Sequence, residues 1–526
     1  MTLADLPADI FLLVLNRALG YLYPERIEYR AYVRCNSTDS WYDGLALISV
    51  CHSWRKHAVP VVYGRLFISI LDLRSQGLRL ITNVPLARAN GLGHHAKSLR
   101  LSSDSAVDVA PLLLMFQAVA IDYNDADADE QPGLAELRER LELSADGSSV
   151  PVIAGSVASH VRHALPNVQR LITKMEFTHA HALALSSIVS QYGSQLEMLF
   201  IEQTGHCIEV LNPELALGFN AQLEDKVVLD PNGNVKADIP QPLPLAVDAR
   251  YARRIYYCDN VPHDRRTPLW NRSSSNDLRF DKLEELDLRS DTLFTPCFNH
   301  TDWSDVKFPS LKRLLVFRFA ITPRFVECLQ QAPLRRLEYR VGDINSIRNL
   351  APVVGKLEHL QLECDFRKFV EPERARSQFI RDSHEDMMGV LNSVLKKAQN
   401  ARVMRVGLIW SDVCLRVSKL DCPFITHLSV QGAFEFRNLL TVLPAMVNLV
   451  DLTLFNISAA EADSEQDAVW LRDYNRGCMD RPASNVKKLK LGYGTSAMMQ
   501  FYNEQLEHIQ WFMPNAKITI EEMYDY

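Results

Sequence analysis

Few residues in this 526-residue chain are spaced for chemistry. His94-His95 and His179-x-His181 bring imidazoles together, as a zinc site would, but no Cys or carboxylate stands at ligand spacing beside them. They read as surface or capping histidines. Asp122–Glu130 has Asp125, Asp127 and Asp129 at alternate positions and Glu136 at the twelfth place of a calcium loop. The sixth place of such a loop needs glycine for its sharp turn and here holds Glu130, and Pro132 stands at the eighth. The segment is therefore read as an acidic loop. Gly91-Leu92-Gly93 and Gly492-Tyr493-Gly494 are too short for a phosphate-binding fingerprint and read as turns. No Gly-x-Ser-x-Gly elbow occurs. No catalytic residue, metal or cofactor is expected, and the chain is not expected to be an enzyme.

The informative patterning is apolar. Leu6-Pro7-Ala8-Asp9-Ile10 opens a helix. Pro7 suits a first turn, Asp5 stands where an N-cap would, and Asp9 favours the positive end of the helix. Ile10, Leu13 and Val14 continue the apolar stripe. A second helix carries Leu47, Val50, Cys51 and Trp54 at i, i+3, i+4 and i+7, and Pro60 is expected to end or bend it.

The lettering Leu-Pro-x-Asp-Ile and Val-Cys-x-x-Trp, with the tail Val59–Ile68, resembles the F-box. The separation of the two elements is about twice that of most F-boxes, and 21–44 reads as an insertion rich in Tyr, Arg and Ser. It would lengthen the docking surface or obstruct it.

From residue 95 onward a phrase recurs: apolar, two residues, apolar, one residue, apolar. It reads Ala96-x-x-Leu99-x-Leu101, Leu196-x-x-Leu199-x-Ile201, Leu283-x-x-Leu286-x-Leu288, Leu311-x-x-Leu314-x-Val316, Leu334-x-x-Leu337-x-Tyr339 and Leu357-x-x-Leu360-x-Leu362. Val403-x-x-Val406-x-Leu408, Ile425-x-x-Leu428-x-Val430, Leu449-x-x-Leu452-x-Leu454 and Val486-x-x-Leu489-x-Leu491 follow. Steps of 22 to 28 residues link most of them, within the leucine-rich-repeat range of roughly 20–29. The last two apolar positions would alternate along a short strand, and successive strands would stack in parallel about 4.8 Å apart. Proline often precedes the phrase, as at Pro166, Pro309, Pro333 and Pro423. Convex helices are expected at Arg324–Gln331, Ser377–Gln399, Arg437–Met446 and Asn503–Phe512. The asparagine that usually follows the phrase is missing, so the resemblance is to an irregular leucine-rich repeat.

The expected fold class is α/β: a short all-α F-box at 1–68, then an irregular leucine-rich-repeat solenoid of parallel strands with outer helices. Its first part would span 69–211 and its second 279–526, with an irregular insertion at 212–278 that breaks the repeat. The formal charge of −7 and the lack of a clustered basic face argue against nucleic acid as a partner. No stretch has the roughly 18 apolar residues of a membrane span; the longest is Pro111–Ile121. No secretory signal is expected, because Asp5 and Asp9 interrupt the N-terminus. The ten cysteines lack Cys-x-x-Cys pairs and read as reduced, mostly buried thiols of a cytoplasmic or nuclear protein.

The F-box resemblance implies a substrate-recognition subunit of a cullin–RING (SCF-type) ubiquitin ligase. Leu6, Pro7, Ile10, Leu47, Val50 and Trp54 would dock the adaptor subunit and, through it, the cullin. The repeats would hold a target protein. A non-catalytic repeat scaffold, or an F-box protein acting outside a ligase, stays open.

Overall fold

The computed structural model describes residues 49, 52–73, 77–103, 150–175, 179–204, 252–260, 278–290, 306–317, 319, 321–342, 344–365, 389–409, 414–415, 422–434, 446–456, 469, 485–493 and 496–522. The chain divides into two compact units, 1–273 and 274–526.

Among the described residues the first unit runs from α1 (His52–Val62) through β1 (Arg65–Leu73), β2 (Gly77–Thr82) and α2 (Val84–Ala89) to β3 (Ser98–Ser103). α3 (Val150–Ala164), β4 (Arg170–Met175), α4 (His179–Tyr192), β5 (Met198–Thr204) and β6 (Arg254–Asn260) complete it. The strand order is β2-β1-β3-β4-β5-β6. β2 runs antiparallel to β1, and every later pairing is parallel. Where β2 ends, the buried Asn83 side chain continues the ladder: its Oδ1 accepts from the Phe67 amide at 2.8 Å.

Of the two effects expected of Pro60, it does not end α1: the helix runs on to Val62. The exposed ring tolerates its missing N–H, while Ala58, Val62 and Tyr63 are drawn into the core. Gly93 lets the end of α3 come close, since a Cβ there would collide with the Ala164 carbonyl oxygen.

The second unit opens with β7 (Leu278–Arg279), β8 (Glu285–Ser290), β9 (Val306–Lys307), β10 (Arg313–Phe317) and α5 (Pro323–Gln331). Next come β11 (Arg336–Gly342), α6 (Ile344–Val354), β12 (His359–Asp365), β13 (Val403–Ile409), β14 (Cys414–Leu415), β15 (His427–Gln431) and β16 (Ala433–Phe434). It closes with β17 (Asp451–Asn456), β18 (Lys488–Tyr493), α7 (Ser496–Phe512) and β19 (Lys517–Glu522). Its sheet has the order β8-β10-β11-β12-β13-β15-β17-β18-β19, parallel throughout. The fold is α/β, with a mainly parallel sheet in each unit.

The phrase explains this topology. Its last two apolar residues alternate with outward residues, so they share one face of each strand. Leu286 and Leu288, Leu314 and Val316, Leu337 and Tyr339, and Leu360 and Leu362 lie in register on adjacent strands, all buried. A slip of one residue on any strand would turn both apolar side chains away from the core.

Three readings of the sequence shift. On β13 it is Met404 that pairs with Leu360 and Leu428, so the phrase there is Ala401-x-x-Met404-x-Val406 rather than one beginning at Val403. The repeat also continues inside 212–278: Ala252, Ile255 and Tyr257 are buried and form the phrase of β6. The helix expected over Ser377–Gln399 ends at residue 395, where turns begin.

The turns are stitched by side chains just before the phrase. Asn167, Asn400, Asn448 and Asn485 each donate Nδ2–H to a carbonyl of the preceding repeat, those of His94, Gly355, Pro423 and Val447, at 2.6–2.7 Å. Lys356 Nζ does the same with three carbonyls at the end of α5, including Ala332 O at 2.6 Å. Backbone bonds repeat beside them. The amides of Lys312 and Arg313 both reach Glu284 O, those of Arg335 and Arg336 reach Lys312 O, and those of Glu358 and His359 reach Arg335 O. This ladder satisfies backbone polar groups of the turns that precede the strands.

Candidate functional site: an arginine-ringed carboxylate on a strand face

The same alternation that buries Leu337 and Tyr339 puts Arg336, Glu338 and Arg340 on the opposite face of β11. Glu285, Asp287 and Arg289 share that face on β8, with Arg313, Leu315 and Phe317 on β10. His359 and Gln361 share it on β12, and Arg405 and Gly407 on β13.

Glu338 is the centre. Its side chain is 1% exposed and takes three guanidinium groups. Arg336 Nε donates to Oε1 at 2.7 Å, Arg340 Nη2 to Oε2 at 3.0 Å and Arg313 Nη2 to Oε1 at 3.3 Å. Arg313 also donates Nη1–H to Glu285 at 2.9 Å. Beside them Arg289 grips both oxygens of the buried Asp287 at 2.9 Å, a bidentate pair.

Burial sorts the charges. The carboxylates of Glu338 and Asp287 are 1% and 5% exposed, while Arg313, Arg336 and Arg340 are 34%, 42% and 37% exposed. Anions form the floor and cations the rim. Burial alone would raise the Glu338 carboxyl, but Arg336, Arg340 and Arg313 outweigh it and hold it below the usual carboxylate range. At Asp287 burial wins over Arg289, and the carboxyl is pushed up.

Four buried polar atoms of this face have no partner among the described residues: Arg313 Nε, Arg340 Nε, His359 Nε2 and Gln361 Oε1. Gln361 is itself buried, and its Nε2 bonds Glu363 Oε1. Gly407 leaves a notch beside Glu363, whose Cγ a Cβ would crowd at 3.0 Å. Such a face can hold and orient an anion. Among these residues there is no hydroxyl or thiol paired with a base for covalent catalysis.

His359 pairs in register with Arg336, and burial followed by that arginine's charge lowers its pKa to about 4. A folded-state pKa below the ordinary 6.5 means that the unfolded chain takes up the proton first as pH falls. Stability is thus lost from about pH 6.5 down to about pH 4 and is intact above. Discounted for partial exposure, the loss at pH 5 is about 1 kcal/mol. Denaturant titrations at pH 7 and pH 5 are expected to show this loss in the intact chain and not in His359→Gln; equal losses in both would contradict it.

Of the docking residues expected from the sequence, Leu6, Pro7, Ile10, Leu47 and Val50 lie outside the described residues, as do Cys51 and the acidic loop 122–130. Trp54 falls in the first turn of α1. His94 bonds Gly91 O through Nδ1 at 2.9 Å, a local turn contact. Cys258, Cys328 and Cys422 are buried and form no disulfide among the described residues. No described helix is long and apolar enough to cross a membrane. No protein-family model matches the chain, and no curated protein matches it at a significant level.

Proposed function

We propose that this chain is a receptor subunit that holds a partner protein on the strand face of its second unit. The observation that carries the reading is a polar strand face whose cations are positioned by buried carboxylates before any partner arrives. Preorganisation of that kind lowers the entropy cost of binding. The parallel strands and in-register phrases support an irregular leucine-rich-repeat solenoid as the scaffold.

The lettering of Leu6, Pro7 and Ile10 with Leu47, Val50 and Trp54 supports an F-box ahead of the array, and with it a substrate receptor of an SCF-type ubiquitin ligase. In that assembly the adaptor and cullin are partners, and ubiquitin transfer takes place on other subunits. The receptor acts by raising the local concentration of its target near the conjugating enzyme.

Co-purification of adaptor and cullin with the intact chain and with the double variant Leu6→Asp/Ile10→Asp tests this. The variant leaves α1 and β1 untouched, whereas a truncation at residue 68 would cut β1. Adaptor and cullin bound to the intact chain and lost from the variant support the ligase role. Absence of adaptor from both leaves the second reading, a repeat scaffold without ligase docking, which the insertion at 21–44 favours.

A further inference from the structure

We infer that the partner segment seated on β8 and β10–β13 is acidic, its carboxylates read by Arg336 and Arg340, with Arg405 at the edge. The inference rests on the reading of this face as a partner-binding surface, and it adds the chemistry of what binds. Five cations, Arg289, Arg313, Arg336, Arg340 and Arg405, share the face with five acidic residues, Glu285, Asp287, Glu338, Glu363 and Asp365. The numbers balance, so position decides. Glu338 and Asp287 are buried beneath, and the guanidinium groups of Arg313, Arg336 and Arg340 stand a third or more exposed above. An approaching chain meets the cations first.

These cations have hydrogen bonds to spare. A guanidinium carries about five N–H donors. Arg340 spends one group on Glu338, and Arg313 spends its two Nη groups on Glu285 and Glu338. Arg405 is exposed and has no ion-pair partner among the described residues. Glu338 acts as a positioning residue: it converges three arginines that would otherwise repel one another. Carboxylates pair with guanidinium forks in planar, bidentate fashion, which suits Asp and Glu side chains in an extended segment.

The test is fluorescence anisotropy with the intact chain and three labelled dodecapeptides of Gly and Ser, carrying glutamates, lysines or phosphoserines. The glutamate peptide is expected to bind, more weakly as salt rises, and the lysine peptide not to bind. Arg336→Gln/Arg340→Gln should weaken glutamate-peptide binding about tenfold or more, one lost charge-assisted contact being worth about a factor of ten. Arg405→Gln, which breaks no internal pair, should weaken it severalfold and covers the case in which the double variant fails to fold. Lys396→Gln/Lys397→Gln removes as much charge from a turn outside the strand face and should leave binding unchanged. The inference is overturned if the glutamate peptide does not bind the intact chain, if the lysine-pair variant weakens it equally, or if only the phosphoserine peptide binds. None of these outcomes bears on adaptor capture, which the Leu6→Asp/Ile10→Asp comparison reads separately.

Discussion

Tyr339→Ala is expected to destabilise the second unit by about 3–5 kcal/mol, the range for emptying a large aromatic site in a core. Tyr339 is fully buried on the core face of β11, between Val316 and Leu362 in register. Its hydroxyl donates to the carbonyl of Phe319 at 3.1 Å. That bond anchors the segment entering α5, which is also held by Ser346 Oγ accepting from the Ile321 amide at 2.7 Å and by Asn349 donating to Ile321 O at 2.7 Å. The alanine variant loses both the apolar ring and the anchor. Tyr339→Phe keeps the ring and removes one buried hydrogen bond, so its cost should be about 1 kcal/mol. Because each repeat packs mainly on its neighbours, the loss should spread to β10 and β12 and fade further along. Urea titration followed by circular dichroism gives the size, and amide exchange gives the spread. An alanine variant within 1 kcal/mol of the parent would refute this account of the core.

Glu338→Gln should cost about 2 kcal/mol. Removing one partner of a fully buried ion pair costs roughly 3–5 kcal/mol, because the other charge is left stranded. Here Arg336, Arg340 and Arg313 are partly exposed and can swing toward water, which lowers the figure. The substitution keeps the size of the side chain, so the change reads charge rather than packing. With its counter-charge gone, the arginine ring should be restabilised by added anions more than the parent is, and thermal melts with and without sulfate measure that difference. A variant as stable as the parent and equally insensitive to sulfate would mean that Glu338 does not organise the ring.

The site was half legible in the letters Arg336-Leu337-Glu338-Tyr339-Arg340. Leu337 and Tyr339 announce the core face because the phrase around them repeats. The same period of two assigns Arg336, Glu338 and Arg340 to the other face, a signal present in the sequence but hidden behind the leucines. What no local pattern carries is the approach of Arg313, 25 residues away, to the same carboxylate. The ladder before the phrase was equally hard to read. Asn167, Asn400, Asn448 and Asn485 are ordinary turn residues until the stacking of repeats brings a carbonyl within reach of each.

By itself the sequence determined the α/β class, the strand phrase and its core residues, since apolar periodicity acts over a few residues and needs no partner to be read. The tertiary structure decided the register at Met404, the extra strand at Arg254–Asn260, and the gathering of cations over buried carboxylates. These depend on which strands become neighbours, and that is fixed only when every apolar pair is buried at once.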